Sequence, residues 1–110
     1  MARILVVDDQ DMMRDSLAAT LVREGHEVIA ATDGAAAVSR LNGAKFDLMI
    51  TDLKMPKMTG IELLAEAKKL RPEMPVVLMT AFATVSTAVE AMKLGAYDYI
   101  QKPFDGDEIK

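Results

Sequence analysis

Carboxylates, a hydroxyl and an ammonium stand where the apolar runs of this sequence end. Five polar residues share this placement: Asp8, Asp9, Asp52, Thr80 and Lys102. Three ionised carboxylates held close together repel one another, and a hard divalent cation with oxygen ligands relieves that repulsion. A carboxylate beside such a cation can attack phosphorus and become an aspartyl phosphate. The residue types therefore predict a metal and phosphoryl site, if the fold brings them together.

The roles of the three acids differ in this prediction. Asp8 and Asp9 are adjacent and form the pair suited to a metal ion, whereas Asp52 stands alone and is the candidate nucleophile. Mg²⁺ is the expected cofactor because it keeps several waters and needs only a few carboxylates plus a phosphoryl oxygen.

The apolar runs alternate with segments of helical character, which predicts a parallel sheet with helices on both faces. We expect five strands, at about residues 3–7, 27–31, 47–51, 76–79 and 97–100. The predicted fold is a flavodoxin-like, doubly wound α/β sheet with strand order 2-1-3-4-5. In that order the first, third and fourth strands are neighbours, so their carboxyl ends share the edge where open α/β sheets bind ligands.

Helices are predicted between all these strands. Residues 13–21 have an apolar face, residues 33–42 form a short Ala-rich helix, and residues 85–94 repeat apolar side chains at helical spacing. Thr59 and Glu62 form a capping box that starts the third helix. We expect the chain to be a single domain of residues 1–110 that stops inside a fifth helix, which predicts marginal stability or self-association because apolar sheet surface would stay uncovered.

Composition limits the class of protein. The 110 residues are 51% hydrophobic and 27% charged, which is typical of one soluble globular domain. The net charge of −4 argues against direct nucleic-acid binding by this domain, because phosphate contacts need clustered Lys and Arg. No apolar run approaches the roughly 20 residues that cross a bilayer, and cysteine and a signal-peptide core are absent, so we expect a cytoplasmic protein without membrane contact.

Four separated motifs resemble the receiver domain of bacterial two-component response regulators. They are Val6-Val7-Asp8-Asp9, Thr51-Asp52-Leu53-Lys54-Met55-Pro56, Met79-Thr80-Ala81 and Gln101-Lys102-Pro103-Phe104. The resemblance covers essentially the whole chain. Residues 52–56, 79–84 and 88–99 resemble in particular the nitrogen-regulatory, sigma-54-dependent activators, which carry an ATPase and a DNA-binding domain downstream.

The resemblance implies phosphoryl transfer from the phosphohistidine of a histidine kinase to Asp52. Mg²⁺ would be bound by Asp9, Asp52 and the backbone carbonyl of Lys54. Asp8 would act on the ion through a water, and Lys102 would hold a phosphoryl oxygen. The domain would promote only its own phosphorylation and dephosphorylation, and so would not be a turnover enzyme.

The resemblance also implies a switch that regulates an output domain and thereby transcription. Thr80 would move to hydrogen-bond the phosphoryl group, and Tyr99 would turn inward and reshape the face formed by the fourth helix and fifth strand. A homodimer would form through that face or through the truncated end. Lys54 and Phe82 are the positions that tune dephosphorylation, and the peptide bond before Pro103 is expected to be cis.

Other functions fit parts of the pattern. A Mg²⁺-dependent phosphatase with an aspartyl nucleophile shares the acids, and a receiver-like module that only binds partners shares the fold. A flavodoxin-like electron carrier shares the topology, but acids after the first strand would repel a flavin phosphate, and the Gly-rich loop of a P-loop nucleotidase is absent. Considered one at a time, these residues have ordinary structural roles: an acid pair usually lies in a solvated turn, a residue such as Thr80 usually caps a helix or turn, and a residue such as Lys102 is usually a surface charge. Their combination favours a receiver domain.

Overall fold

The computed structural model describes residues 2–55, 57–80 and 85–101 of the chain. Its strands are β1 (Arg3–Val7), β2 (Glu27–Ala31), β3 (Leu48–Asp52), β4 (Val76–Thr80) and β5 (Asp98–Gln101). Its helices are α1 (Asp11–Arg23), α2 (Gly34–Gly43), α3 (Gly60–Leu70) and α4 (Val85–Lys93). The predicted fifth helix falls on residues outside these ranges. None of the helices in the described ranges is both long and apolar enough to span a membrane.

The strands form one parallel sheet in the order β2-β1-β3-β4-β5, which confirms the predicted topology. Three strands (β3, β4 and β5) end one residue later than the sequence predicted, and β3 and β5 also begin one residue later. Asp52 and Thr80 are the last residues of β3 and β4, because strand pairing continues to them: Asp52 is in register with Met79, and Thr80 with Gln101. The two polar residues are therefore fixed by the sheet itself.

The core lies on both faces of the sheet, because successive residues of a strand point to opposite sides. Leu5 and Val7 belong to the larger cluster, which the sheet forms with α2, α3 and α4. Ile4 and Val6 belong to a smaller cluster with Leu17 of α1. Since both faces are packed, the central strands are apolar through their middles, at residues 4–7 of β1, 48–50 of β3 and 76–79 of β4, and polar residues follow at their carboxyl ends.

Side-chain caps set the beginnings of two helices close to the site edge. Asp33 accepts a hydrogen bond from the Ala36 N–H at 2.8 Å and so begins α2. Thr59 accepts from the Glu62 N–H at 3.2 Å, and Glu62 accepts from the Thr59 N–H at 2.9 Å. The predicted capping box of α3 is thereby confirmed.

Removing half of this capping box should cost stability without touching the apolar face of α3. We expect Thr59→Ala to lower the free energy of unfolding by about 1 kcal/mol, because an amide at the helix start loses its acceptor. The control is Thr20→Ala. The Thr20 hydroxyl donates to the Ser16 carbonyl within α1 (3.0 Å), and alanine is the better helix former there. Urea denaturation that finds the two variants equally stable would contradict the prediction.

Candidate metal and phosphoryl site

Three neighbouring strands deliver the polar residues to one edge. Asp8 follows β1, Asp52 ends β3 and Thr80 ends β4. Val7 is in register with Thr51, so the next residues along, Asp8 and Asp52, lie side by side. The sequence-predicted meeting of these groups is thus a consequence of strand order.

The carboxylates of Asp8, Asp9 and Asp52 form a compact cluster. One oxygen from each lies within 4.8 Å of the others. Asp8 is fully buried and Asp52 is 6% exposed, whereas Asp9 faces solvent. Ligands on opposite sides of one Mg²⁺ are about 4.2 Å apart, so small side-chain rotations would let the three oxygens share an ion. Hard oxygen donors, short spacing and one open side fit a magnesium site.

The turn that carries the acid pair is held from both sides. The Asp8 N–H donates to the Ala31 carbonyl at 3.2 Å, which ties the turn to β2. The Asp8 carboxylate accepts from the Gln10 N–H at 2.9 Å, and Arg14 donates to the Asp8 carbonyl at 2.9 Å. Arg14 also pairs with Asp11 at 2.7 Å, so this cation fixes the backbone at the start of α1. Asp8 and Asp9 therefore lie on a turn that hydrogen bonds hold in place.

The backbone after Asp52 is pinned by β4 and α3. The Leu53 N–H donates to the Met79 carbonyl at 2.8 Å, and the Gly60 N–H donates to the Leu53 carbonyl at 2.7 Å. A Cβ on Gly60 would collide with the Asp52 carbonyl oxygen and would lie 2.8 Å from the Leu53 Cα. Only glycine allows the first residue of α3 to pack this closely on the strand end.

Thr80 and Tyr99 lie on the same face of the sheet. Tyr99 is in register with Leu78, and Thr80 is two residues after Leu78 on a strand whose side chains alternate. Thr80 is 1% exposed, whereas Tyr99 is half-buried and packs against the larger core cluster. A hydroxyl at the site edge and an aromatic ring behind it are thus carried by adjacent strands.

The remaining predicted site residues stand as follows. Lys54 is exposed, two residues after Asp52. Phe82, Lys102 and Pro103 lie outside the described residues, so the predictions for them, including the cis peptide bond, stay predictions.

Sequence reasoning missed two features of the loop after β3. Gly60 packs directly on the end of β3, and Lys57 has a left-handed backbone with φ of 71°. A glycine at the first helical position of a capped helix was the only available signal for Gly60, since alanine would suit a helix better there.

Comparison with known proteins agrees with the predicted fold and family. The family model of the response regulator receiver domain matches residues 4–110. The chain is 43% identical over 107 residues to the regulatory protein AtoC of Escherichia coli (strain K12), which covers 97% of the chain and 23% of AtoC. The chain spans about a quarter of the length of the curated relatives it matches.

Solved structures give the same result. The receiver domain of NtrX from Brucella abortus has a TM-score of 0.91 and 41% identity, covering 96% of this chain and 90% of that one. A response regulator from Burkholderia pseudomallei, with a TM-score of 0.94 and 31% identity, covers 99% of this chain and 64% of that one; its structure contains a phosphorylated aspartic acid and a calcium ion.

The predicted resemblance to the nitrogen-regulatory, sigma-54-dependent activators is confirmed by these similarities. Fold, strand-end chemistry and a match that spans nearly all of its residues agree on one conclusion: the chain belongs to the response regulator receiver domain family.

Proposed function

We propose that this receiver domain is a phosphorylation-dependent switch that accepts a phosphoryl group on Asp52. The observation that carries the proposal is the cluster of three carboxylate oxygens within 4.8 Å at the edge where β1 and β3 end. Asp52 is the member that ends a central strand, and its backbone is held by β4 and α3. The family match over residues 4–110 supports treating the chain as one signalling domain rather than a turnover enzyme.

The transfer step forms one bond and breaks another. A carboxylate oxygen of Asp52 bonds to phosphorus while the phosphorus–nitrogen bond of a phosphohistidine breaks, and the imidazole nitrogen keeps the electron pair and takes a proton. The protein mainly positions groups and balances charge in such a transfer. Asp8, Asp9, Asp52 and the Lys54 carbonyl would hold Mg²⁺, which supplies the positive charge that lets anions approach one another. Lys102 holds a phosphoryl oxygen.

The phosphodonor is a histidine kinase. His26 is the only histidine of the chain, and its Nδ1 accepts the Ala2 N–H at 3.1 Å. This bond lies beside the beginnings of β1 and β2, at the edge of the sheet opposite Asp52. The donor histidine must therefore belong to a partner, and we place the encounter in the cytoplasm.

Phosphorylation is read out on the face formed by α4 and β5. Thr80 hydrogen-bonds the phosphoryl group and Tyr99 turns inward behind it, since both lie on one face of adjacent strands. Exposed apolar side chains already mark the outer surface of this region: Val89, Met92, Leu94 and Tyr97. An output domain, or a second copy of the chain, binds there. Because the matched relatives are about four times longer, and AtoC is named a regulatory protein, we propose transcription as the regulated process.

Labelling by a small phosphodonor tests the acceptor directly. Incubation with Mg²⁺ and an acyl or amido phosphate should add one phosphate-sized mass to the intact protein. The gain should vanish in Asp52→Asn and after chelation of Mg²⁺. The matched control is Asp47→Asn, where the acid accepts the Arg3 N–H near the opposite end of β3 and an amide oxygen can replace it.

Two outcomes would overturn the acceptor assignment. They are no mass gain with any donor, or equal labelling of the Asp52→Asn variant. Continuous release of phosphate from an added phosphomonoester would instead favour a Mg²⁺-dependent phosphatase with the same nucleophile.

Mg²⁺ should stabilise the fold, and Asp9 should be needed for that effect. A ligand at a hundred times its dissociation constant adds about 2.7 kcal/mol to the free energy of unfolding. Asp9→Asn should raise stability without Mg²⁺, because a repelling charge is removed, and should lose most of the gain with Mg²⁺.

The control for Asp9 is Asp11→Asn. Asp11 pairs with Arg14 and is not a member of the cluster, so its loss should lower stability slightly and leave the Mg²⁺ gain unchanged. Thermal unfolding with and without Mg²⁺ measures both effects, and an equal Mg²⁺ gain in the two variants would contradict the metal site.

Lys54 slows the loss of the phosphoryl group by obstructing water. It is exposed beside the acceptor strand, so its long side chain can cover an acyl phosphate on Asp52. Lys54→Ser should speed the decay of labelled protein several-fold in the presence of Mg²⁺. Lys45→Ser, at an exposed position before β3, is the control, and identical decay in both variants would count against the role of Lys54.

A further inference from the structure

The loop between β3 and α3 is held in a strained conformation. Lys57 has a left-handed backbone with φ of 71°, which costs free energy for any residue with a Cβ. Such conformations persist only where surrounding contacts impose them, and they concentrate at functional sites. Residues 53–59 connect Asp52 to the first turn of α3 and carry the Lys54 carbonyl. The contacts that impose this loop conformation are therefore part of the site.

Hydrogen bonds within the loop and the first turn of α3 hold the end of the loop nearest α3. The Gly60 N–H bonds to the Leu53 carbonyl at 2.7 Å, and the capping box fixes Thr59. These bonds close the loop but do not reach any other helix.

The second support comes from α2, across the larger core cluster. Met58 packs over Gly34, the first residue of α2, so closely that a Cβ on Gly34 would lie 2.6 Å from the Met58 Sδ. It would also lie 3.0 Å from the Met58 Cγ and 2.9 Å from the Met58 Cβ. Side-chain rotation can move the sulfur and Cγ. It cannot move the Met58 Cβ, which is fixed to the loop backbone.

The backbone of Gly34 is also fixed and cannot move away from Met58. Asp33 caps α2 through the Ala36 N–H at 2.8 Å, and the Ala37 N–H donates to the Asp33 carbonyl at 3.1 Å. Ala37 is fully buried in the larger cluster. The start of α2 is thus a fixed surface against which Met58 rests.

We propose that Gly34 is a positioning residue for the phosphoacceptor loop. The missing Cβ leaves a seat for Met58, and this seat holds residues 53–55 and 57–59 in the conformation that places the Lys54 carbonyl beside Asp52. Gly34 touches neither metal nor phosphoryl group and acts through Met58. This inference rests on the proposed function.

At Gly34, helix propensity and packing predict opposite effects of an alanine substitution, so one substitution can distinguish them. Alanine favours a helix over glycine, so Gly34→Ala should stabilise α2 if propensity alone mattered. If the seat matters, the new methyl group displaces Met58 and the loop with it. The matched control is Gly43→Ala, in the same helix, where a Cβ would meet nothing within 4 Å.

The experiment compares Gly34→Ala, Gly43→Ala, Met58→Ala and the double variants Gly34→Ala/Met58→Ala and Gly34→Ala/Met58→Gly with the unaltered chain. Calorimetry without phosphodonor measures Mg²⁺ affinity. Labelling at Asp52 as a function of Mg²⁺ concentration separates the half-saturating concentration from the maximal rate. Amide hydrogen exchange without Mg²⁺ reports how often residues 53–59 open.

We expect Gly34→Ala to weaken Mg²⁺ binding and slow labelling by roughly tenfold, since a 1 Å misplacement of reacting groups costs about a hundredfold and this shift is smaller. Exchange at residues 53–59 should be faster than in Gly43→Ala. The Gly34→Ala/Met58→Ala variant should recover part of the loss, because the contacts to Sδ and Cγ are gone while the contact to the Met58 Cβ remains.

Two results would overturn the proposal. One is equal Mg²⁺ affinity and loop exchange in Gly34→Ala and Gly43→Ala, and the other is a Gly34→Ala defect that is not relieved even by Met58→Gly, which removes the Cβ contact as well. If Gly34→Ala fails to fold, recovery of folding in Gly34→Ala/Met58→Gly supports the seat, and absence of recovery overturns it. If the wild-type chain binds Mg²⁺ but is never labelled, the proposed function is wrong. The Mg²⁺ affinities of the variants still test the role of Gly34 in that case.

Discussion

The mutual repulsion of three carboxylates is the interaction on which the rest of the structure depends. Parallel pairing of β1 with β3 puts Asp8 beside Asp52, and Asp9 adds a third charge within 4.8 Å. Two of these acids are buried, where charge repulsion is screened least. The stability of the fold must therefore be large enough to keep these like charges close together.

That stability comes from the sheet and its two apolar layers. All five strands are paired in parallel, and side chains from both faces of β1 are buried. The larger layer joins the sheet to α2, α3 and α4, and it carries the contacts that shape the site from behind. Gly60 packs on the end of β3 and Met58 packs on α2, so the same layer that stabilises the fold also positions the loop after Asp52.

The site edge combines rigid and strained parts. Asp8 stands on a turn braced by Ala31, Gln10 and Arg14, whereas the loop after Asp52 includes the left-handed Lys57. Strain at a binding edge is tolerated because the neighbouring packing is stiff. The proposed binding of a cation at this edge would reduce the repulsion among the three carboxylates and so change the forces on the loop, as a switch requires.

The sequence by itself determined the alternation of strands and helices, the strand order, the capping box at Thr59 and the gathering of Asp8, Asp52 and Thr80 at one edge. The alternation and the capping box follow from local patterns, the strand order is that of the fold the sequence resembles, and the gathering of the polar residues follows from that order because parallel strands end together. The exact strand ends, the left-handed Lys57 and the packing of Met58 on Gly34 were decided only by the tertiary structure. Gly34 and Met58 lie on separate elements, and no local pattern records that their atoms touch. Close contacts depend on how helices settle on the sheet to within a few tenths of an ångström, and a periodic pattern carries no information at that scale.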